Sequence, residues 1–308
     1  MTPAADAPRV SAVIVSYNAR EHLLRCLAAL EAHAGVPVEA IVVDNASADG
    51  SAEAARAAFP AARVIDAGEN IGFSRANNLG IQEARAPYVL ILNPDAELRP
   101  GCLSTLSGLL DRRTDVGLVG PRTLGPDGTV QVSFGEGLTP WLEWRQHGLV
   151  VGVRARRPGA LQRAGEAARR EREPGWISGA CVLARRSALE AVAGFDEGFF
   201  LYEEDVDLCL RLRRAGWRIV FTPAAEVVHH LGRSVASDPW RSRLEYHRSH
   251  LRFYRKHNGA LQTALLRAHL VAGAVTGLLR ALGPGADRRE GRAHHREVLA
   301  LALGGSRT

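Results

Sequence analysis

Hydrophobic residues in the first hundred positions form short continuous runs that alternate with segments of helical periodicity. Apolar runs at 10–16, 40–44, 62–66 and 88–92 predict β-strands. Between them, leucines and alanines recur every three or four residues, the spacing of one face of an α-helix. Strands that alternate with helices form a parallel sheet covered by helices. We therefore predict an α/β fold with a mostly parallel central sheet.

Each predicted strand is followed by a polar side chain. Tyr17 follows the first strand, Asp44 ends the second, Asn70 lies in the loop after the third, and Asp95 follows the fourth. The carboxyl ends of parallel strands lie at the same edge of a sheet, which is where open α/β sheets bind ligands. One such residue is common in any α/β protein, but four on one edge predict a pocket.

The fourth strand ends abruptly at Asn93-Pro94-Asp95. Its apolar run from Tyr88 to Leu92 is typical of a central strand buried on both faces, and the proline prevents further ladder pairing. Asp95 is thus held by a rigid turn at the edge of the sheet. A carboxylate in this position suits a divalent cation that also binds substrate phosphates, although a polar turn alone would have the same sequence.

The regular alternation ends near residue 120. A helix at 100–113 and a strand at 116–120 are followed by a predicted hairpin at 121–132. Residues 134–174 lack periodic apolar positions and include an arginine-rich run, so we predict a mobile excursion or a loosely packed helix. Order returns with a predicted strand at 176–184.

A second chemically dense segment contains four acids within five residues. Glu203, Glu204, Asp205 and Asp207 open a predicted helix. Acids in a first turn favour the helix dipole by about 0.3–1 kcal/mol each, which accounts for one or two of them. Four acids in a cleft would repel one another and raise the pKa of at least one carboxyl. A carboxylate with a raised pKa is what a general base requires.

The remainder of the chain is basic and predicted to be helical. The strand near 226 ends in His229 and His230, either of which could complete a metal site or serve as an ordinary hydrogen-bonding residue. Helices with a basic and aromatic face follow Pro239. Residues 268–279 are too short to span a bilayer, so they form either a surface-lying helix at anionic lipid or a packed tail. Residues 283–308 are expected to be frayed.

Composition excludes several classes of protein. The 308 residues carry a net charge of +6, nearly all of it from arginine, because Lys256 is the only lysine. The arginines form no aromatic-interleaved stripe, so nucleic acid is not an expected partner. Four widely spaced cysteines without a CxxC motif predict reduced, half-buried core residues in a cytosolic protein. Residues 1–9 contain no apolar run of the kind found in a secretory signal.

Seven segments together resemble the family 2 glycosyltransferases, especially the bacterial rhamnosyltransferase-like branch. They occur in order between Val10 and Ser234: Val15-Ser-Tyr-Asn18, Val43-Asp-Asn-Ala-Ser47, Asn70-Ile-Gly-Phe-Ser-Arg-Ala-Asn77-Asn78-Leu-Gly80, Asn93-Pro-Asp95, Gly179-Ala, Gly194-Phe-Asp196 and Glu204-Asp-Val-Asp207. The resemblance implies a GT-A fold over residues 1–238, with a nucleotide-sugar half at about 10–120 and an acceptor half at 121–238. A helical, basic extension would occupy 239–308.

The resemblance also implies a role for each matching residue. Asp205 would be the general base, and Asp95 would bind Mg²⁺ or Mn²⁺ with help from His229, which matches a His-x-x-Gly-x-Ser pattern; the neighbouring His230 leaves that register open. The family's usual metal-binding triplet is Asp-x-Asp, so Asn93 in its first position places metal binding mainly on Asp95. The remaining residues would contact the donor (Tyr17, Asp44, Asn45, Asn70, Gly72, Asn77 and Asn93) or the acceptor (Trp176, Gly179 and Glu204).

The implied activity is an inverting transfer of a sugar from a nucleotide diphosphate to a hydroxyl of a glycan or lipid-linked acceptor, in cell-wall or polysaccharide biosynthesis. The donor would be a dTDP- or UDP-sugar such as dTDP-rhamnose, and the enzyme would be cytoplasmic with peripheral contact to the membrane. A non-catalytic nucleotide-sugar-binding or assembly protein is the alternative. A sugar nucleotidyltransferase lacks support because no glycine-rich basic loop follows the first strand, and the absence of GxGxxG there disfavours an NAD-dependent oxidoreductase.

Overall fold

The structure is a computed structural model that describes residues 7–137, 139–230, 239–282 and 286–304, and only the backbone of residues 144, 239, 286 and 287. Its strands are β1 (Val10–Ser16), β2 (Val38–Asp44), β3 (Arg63–Asp66), β4 (Tyr88–Leu92), β5 (Ala96–Leu98), β6 (Val116–Leu124), β7 (Phe134–Gly135), β8 (Trp176–Ile177), β9 (Cys181–Arg185) and β10 (Arg218–His229). Its helices are α1 (Arg20–His33), α2 (Ser51–Ala58), α3 (Phe73–Glu83), α4 (Cys102–Arg112), α5 (Pro140–Arg154), α6 (Pro158–Ala167), α7 (Arg186–Ala191), α8 (Glu204–Arg214), α9 (Pro239–His257), α10 (Ala260–Arg280) and α11 (Ala286–Leu303).

The central sheet has the strand order β3-β2-β1-β4-β9-β6-β10-β5. The first four strands are parallel, and β10 runs parallel to β6. Strand β9 is antiparallel to both of its neighbours, and β5 is antiparallel to β10. This arrangement confirms the prediction of a mostly parallel α/β sheet. All five residues of β4 are buried, as expected of a central strand.

The two faces of the sheet bury separate hydrophobic clusters. Successive side chains of a strand point to opposite faces. Leu90 and Leu92 of β4 accordingly belong to the cluster beneath α1 and α4, whereas Val89 and Ile91 pack in the cluster that includes α7 and α8. Both faces are therefore covered. The four cysteines are free in these layers and are buried more deeply than the predicted half-buried positions.

The segment at 134–174 is largely helical, which agrees with the second of the two alternatives predicted for it. It contains two helices, α5 and α6, each of which has proline in its first turn, and the Thr139 side chain accepts a hydrogen bond from the Leu142 N–H at the start of α5. The bounds of the two helices were not predicted, because long polar and basic residues interrupt the apolar spacing. The predicted strand at 176–184 is two strands, β8 and β9, separated by residues 178–180.

The C-terminal helices form a third hydrophobic cluster. Leu251 and Tyr254 of α9, Leu270 of α10 and Val298 of α11 pack in this cluster together with Phe199. The expectation that residues 283–308 are frayed is wrong for the described residues 286–303, which form α11. Val298 and Ala302, one turn apart, anchor that helix in the cluster.

The boundary at residue 238 stays a prediction, although α9 shares a cluster with Phe199, which precedes α8. Within the described part of the chain, none of the helices combines the length and the apolar character needed to cross a membrane.

Candidate active site

The loops after β2 and β3 interlock through two asparagines. Asn45 donates from its side-chain amide to Asn70 Oδ1 at 2.9 Å and accepts the Ile71 N–H at 2.9 Å. The Asn45 backbone N–H donates to the Ser16 carbonyl at the end of β1. Because three strands meet here in register, residues distant in sequence form one wall. The wall contains Asn45 and Asn70, as the sequence predicted.

Asp44 lies in this wall with one of its carboxylate oxygens unpaired. One oxygen accepts the Ser47 N–H at 2.9 Å, and the other is buried without a hydrogen-bond partner. A buried acceptor without a partner is costly unless a ligand completes it. The half-buried Tyr17 follows β1 at the same edge. This edge of the sheet thus contains a carboxylate oxygen that is free to accept a hydrogen bond, for example from a ribose hydroxyl or a nucleobase N–H.

Gly72 permits close contact between the start of α3 and the loop before α8. Its φ is +84°, and a Cβ atom there would lie 2.7 Å from the Phe200 carbonyl oxygen. The next residue, Phe73, donates its N–H to that same oxygen at 2.7 Å. Asn77, one turn further on, is almost fully buried and donates to the Phe73 carbonyl, while its own Oδ1 has no partner. The role of Asn77 in binding a nucleotide-sugar donor stays a prediction.

Asp95 and His229 form a buried contact. Antiparallel pairing of β10 with β5 sets His229 opposite Ala96, so residues far apart in sequence become neighbours. His229 Nε2 lies 3.2 Å from Asp95 Oδ1 and 3.4 Å from the Asn93 side-chain nitrogen. Burial alone would raise the pKa of Asp95, but the hydrogen bond and charge of His229 outweigh it, so the pKa is lowered. Asp95 is therefore an anion at neutral pH.

His230 faces away from Asp95. Its ring contacts Glu97 Oε1 at 2.9 Å, and only its backbone N–H reaches the Asp95 carbonyl. The geometry therefore favours His229 over His230 as the site histidine. Gly232 and Ser234, which completed the sequence pattern, lie outside the described residues.

Gln131, which the sequence analysis missed, orients the His229 ring. Its side-chain oxygen lies 3.3 Å from His229 Nδ1, and its amide donates to the His229 carbonyl at 2.7 Å. A partner on the second ring nitrogen sets the tautomer and the direction of the first. A glutamine shortly after a turn carries no sequence signal for this role.

Asp205 is held by backbone donors at the start of α8. The Gly179 N–H donates to one of its oxygens at 2.8 Å and the Val206 N–H to the other at 2.8 Å. Gly179 is also close packed, since a Cβ atom there would lie 3.3 Å from that of Asp205. Burial raises the pKa of Asp205 and the backbone donors only partly oppose the rise.

A backbone contact between two turns connects the region of Asp95 with the region of Asp205. The Asn93 backbone N–H, at the end of β4, donates to the Ala180 carbonyl at 2.9 Å, and the adjacent Gly179 binds Asp205. The turn that carries Asp95 therefore meets the turn that holds Asp205. A carboxylate paired with histidine and a second carboxylate with a raised pKa consequently flank one point at the edge of the sheet.

Comparison with known families identifies this arrangement. Residues 11–193 match the family model described as glycosyl transferase family 2. The chain belongs to glycosyl transferase family 2. Over 281 residues, this glycosyltransferase is 34% identical to the N-acetylglucosaminyl-diphospho-decaprenol L-rhamnosyltransferase of Mycobacterium tuberculosis, covering 84% of this chain and 91% of that protein. A 73-residue segment is 44% identical to rhamnosyltransferase WbbL of Escherichia coli and covers 23% of this chain and 28% of that protein.

Solved structures confirm the GT-A fold of this glycosyltransferase. The mannosyltransferase PcManGT of Pyrobaculum calidifontis, in complex with GDP-Man and Mn²⁺, superposes with a TM-score of 0.58 at 17% identity and covers 98% of this chain and 88% of that one. GalNAc-T7 with UDP, GalNAc and Mn²⁺ gives a TM-score of 0.59 at 14% identity, with 95% and 55% covered. The resemblance inferred from the sequence motifs is therefore confirmed.

The four acids around α8 have different environments in the glycosyltransferase. Asp207 contacts Lys256, His257 and Arg211 at 2.6 Å each. Burial would raise the pKa of Asp207, but the hydrogen bonds from Lys256 and His257 and the charge of Arg211 outweigh this and lower it. Glu204 is buried, with one oxygen lacking a partner, and burial and the nearby Asp205 raise its pKa well above the ordinary value. Asp207 is thus structural, whereas Glu204 and Asp205 form an interacting pair of carboxyls.

A buried histidine from the C-terminal extension supports this segment. His250 of α9 lies 2.8 Å from Glu203 Oε1 and 3.1 Å from Glu143 Oε2. Burial would lower the pKa of His250, but the two carboxylates outweigh it and raise the pKa to about 10. Glu203 and Tyr202 both have positive φ, +67° and +71°, which is strained for residues other than glycine. The ion pair holds this strained turn immediately before Asp205, and neither His250 nor Glu143 carried a sequence signal.

A cleft of about 420 Å³ lies between residues 131–136 and the helices α5 and α6, and none of the predicted site residues lines it. Gln131, which contacts His229, forms part of its wall, and Phe134, Leu142 and Leu149 supply apolar surface. Trp176 follows the cleft residue Pro174, and its indole nitrogen is buried without a partner beside Gly135. The helical segment at 134–174 therefore forms one side of this cleft.

Proposed function

We propose that this glycosyltransferase moves rhamnose from a dTDP-sugar to a lipid-linked, diphosphate-bearing acceptor, with inversion at the anomeric carbon. The observation that carries the proposal is the junction at Asn93 and Gly179, where the Asp95–His229 pair and Asp205 meet. Similarity over most of both chains to a rhamnosyltransferase named for a diphospho-decaprenol acceptor supports the choice of sugar and acceptor. The reaction would take place at the cytoplasmic face of the membrane.

We propose that Asp95, His229 and Asn93 hold a divalent cation together with the donor diphosphate. Among the described residues there is no group of three or more His, Cys, Asp or Glu side chains arranged for a metal. The donor set nevertheless fits Mg²⁺ or Mn²⁺, because one carboxylate, one imidazole and the unpaired, buried Asn93 Oδ1 leave positions for phosphate oxygens. A bound cation would neutralise charge on the leaving diphosphate.

Asp205 is the proposed general base. The acceptor hydroxyl oxygen bonds to the anomeric carbon as the bond from that carbon to the donor phosphate oxygen breaks. The hydroxyl proton passes to Asp205, and the leaving group departs as dTDP. The raised pKa of Asp205 suits this step, since a base works best with a pKa closer to the working pH. The backbone donors from Gly179 and Val206 orient its oxygens.

The donor-binding and acceptor-binding residues implied by the family resemblance also stay proposals. Donor binding is assigned to the wall formed by residues 17–77, and the open oxygen of Asp44 supports it. Acceptor binding is assigned to Trp176, Gly179 and Glu204, which lie at or near Asp205. The corresponding division places a donor half at about 10–120 and an acceptor half at 121–238.

The test is a transfer assay with dTDP-rhamnose, UDP-glucose and GDP-mannose as donors and a short-chain N-acetylglucosaminyl-diphospho-prenol as acceptor. We expect rhamnosyl product from the dTDP donor alone, with the opposite anomeric configuration by proton NMR. Retention of configuration would refute the single displacement. Donor binding in calorimetry without transfer to any acceptor would favour a non-catalytic role.

A further inference from the structure

Helix α10 presents an apolar stripe to solvent along its whole length. Leu261, Leu265, Val275 and Leu279 are 42–74% exposed, and Leu282 just beyond the helix is 64% exposed. At 100° per residue these positions, with Ala268 and Ala272 between them, fall within about 60° of one line on the helix surface. The opposite side, Leu266, Leu270 and Ala274, is buried in the C-terminal cluster. The helix is thus apolar on both sides, but only one side has a partner among the described residues.

The chain segment that contains this stripe carries basic residues and no acidic ones. Residues 246–286 contain no aspartate or glutamate, whereas Arg248, Arg252, Arg255, Lys256, Arg267 and Arg280 are basic. Arg280 is exposed at the C-terminal end of the helix. Arg248 pairs with Glu245, and Arg252 and Lys256 pair with Asp196, so Arg255, Arg267 and Arg280 carry the available positive charge of this segment. An apolar stripe in a basic segment is complementary to a surface that is apolar inside and anionic outside.

We infer that the α10 stripe, Leu261 to Leu282, is a docking surface for an anionic lipid bilayer. The helix would lie in the interface with the stripe among the acyl chains, since it is not apolar enough to cross the bilayer. A second copy of this chain fits less well. Two identical stripes in contact would bring arginines of both copies together, with no acid between residues 246 and 286 to pair with them.

The surface is joined to the active site by direct packing. Leu251 of α9 and Leu270 of α10 share one hydrophobic cluster, and α9 carries His250 to Glu203 beside Asp205. Docking of α10 therefore orients the acceptor half relative to the bilayer, where a lipid-linked acceptor would present its diphosphate. The link between docking and a lipid-linked acceptor rests on the proposed function, but membrane binding itself does not.

The test is flotation of the full-length protein with vesicles of phosphatidylcholine alone or mixed with phosphatidylglycerol. We expect binding to the anionic vesicles that weakens with added salt and is much weaker on phosphatidylcholine. The double variant Leu265→Gln/Leu279→Gln should reduce partitioning by about tenfold or more. Leu303→Gln is the matched control, because Leu303 is 69% exposed on α11 but lies outside the stripe; it should bind like the parent protein.

Two outcomes would overturn the inference. One is equal binding by the parent protein and the double variant. The other is a stable dimer in analytical ultracentrifugation that the double substitution dissociates, with no binding to either vesicle. Transfer to a water-soluble acceptor should be unchanged in the double variant. Vesicle binding without any transferase activity would instead refute the proposed function and leave the docking surface intact.

Discussion

Replacement of His250 by glutamine tests the ion pair that supports the strained turn at Tyr202 and Glu203. Glutamine keeps hydrogen-bonding groups but removes the positive charge between Glu143 and Glu203. The difference between the ordinary pKa of 6.5 and about 10 in the folded protein corresponds to at most about 5 kcal/mol. The pKa of Glu203 is also raised, because burial outweighs the pull of His250, so part of this gain is lost. We expect the free energy of unfolding to fall by about 3 kcal/mol at neutral pH.

The pH dependence distinguishes this charge effect from a packing defect. Because the folded-state pKa of His250 is raised, its contribution is complete below about pH 6.5 and is lost as the pH rises toward about 10. The difference between parent and variant should therefore shrink over that interval in urea denaturation. His147→Gln, an exposed position on α5, is the control and should show no difference. A stability difference of equal size near pH 6.5 and near pH 10 would refute the reasoning.

Three further substitutions test the site. Asp205→Asn should lower kcat by about 100-fold or more and leave the calorimetric affinity for dTDP unchanged, because it removes the proposed base but not the donor wall; unaltered kcat would exclude this base. In the parent enzyme, kcat/KM should fall as pH drops through the raised pKa of Asp205. Asp95→Asn should abolish the Mn²⁺-dependent part of the thermal shift caused by dTDP, and a shift of unchanged size would place the cation elsewhere. Gly72→Ala should destabilise the fold by about 1–3 kcal/mol in urea denaturation, since φ is +84° and the Phe200 carbonyl lies 2.7 Å from the added Cβ, whereas Gly68→Ala, also at positive φ but with open space, should cost less.

The C-terminal region shows where local sequence patterns were insufficient. Residues 286–303 looked frayed because charged residues dominate their first half, yet Val298 and Ala302 anchor the helix against α9 and α10. Helix α5 also depends on distant partners, because its apolar residues line the cleft and its Glu143 forms an ion pair with His250. These helices depend on long-range partners, and long-range partners leave no periodicity in the sequence.

The sequence by itself determined the α/β sheet, the edge at which polar residues gather, and the family to which the chain belongs. Buried strands and strand-end turns are local features, and their residues must be apolar or turn-forming wherever the chain goes. Only the tertiary structure decided that His229 rather than His230 faces Asp95, since strand pairing sets which side chain points to which side. It also decided that Asp207 is neutralised by Arg211 and Lys256 while Asp205 is held by backbone donors, because the number of nearby cations depends on how α8 and α9 pack.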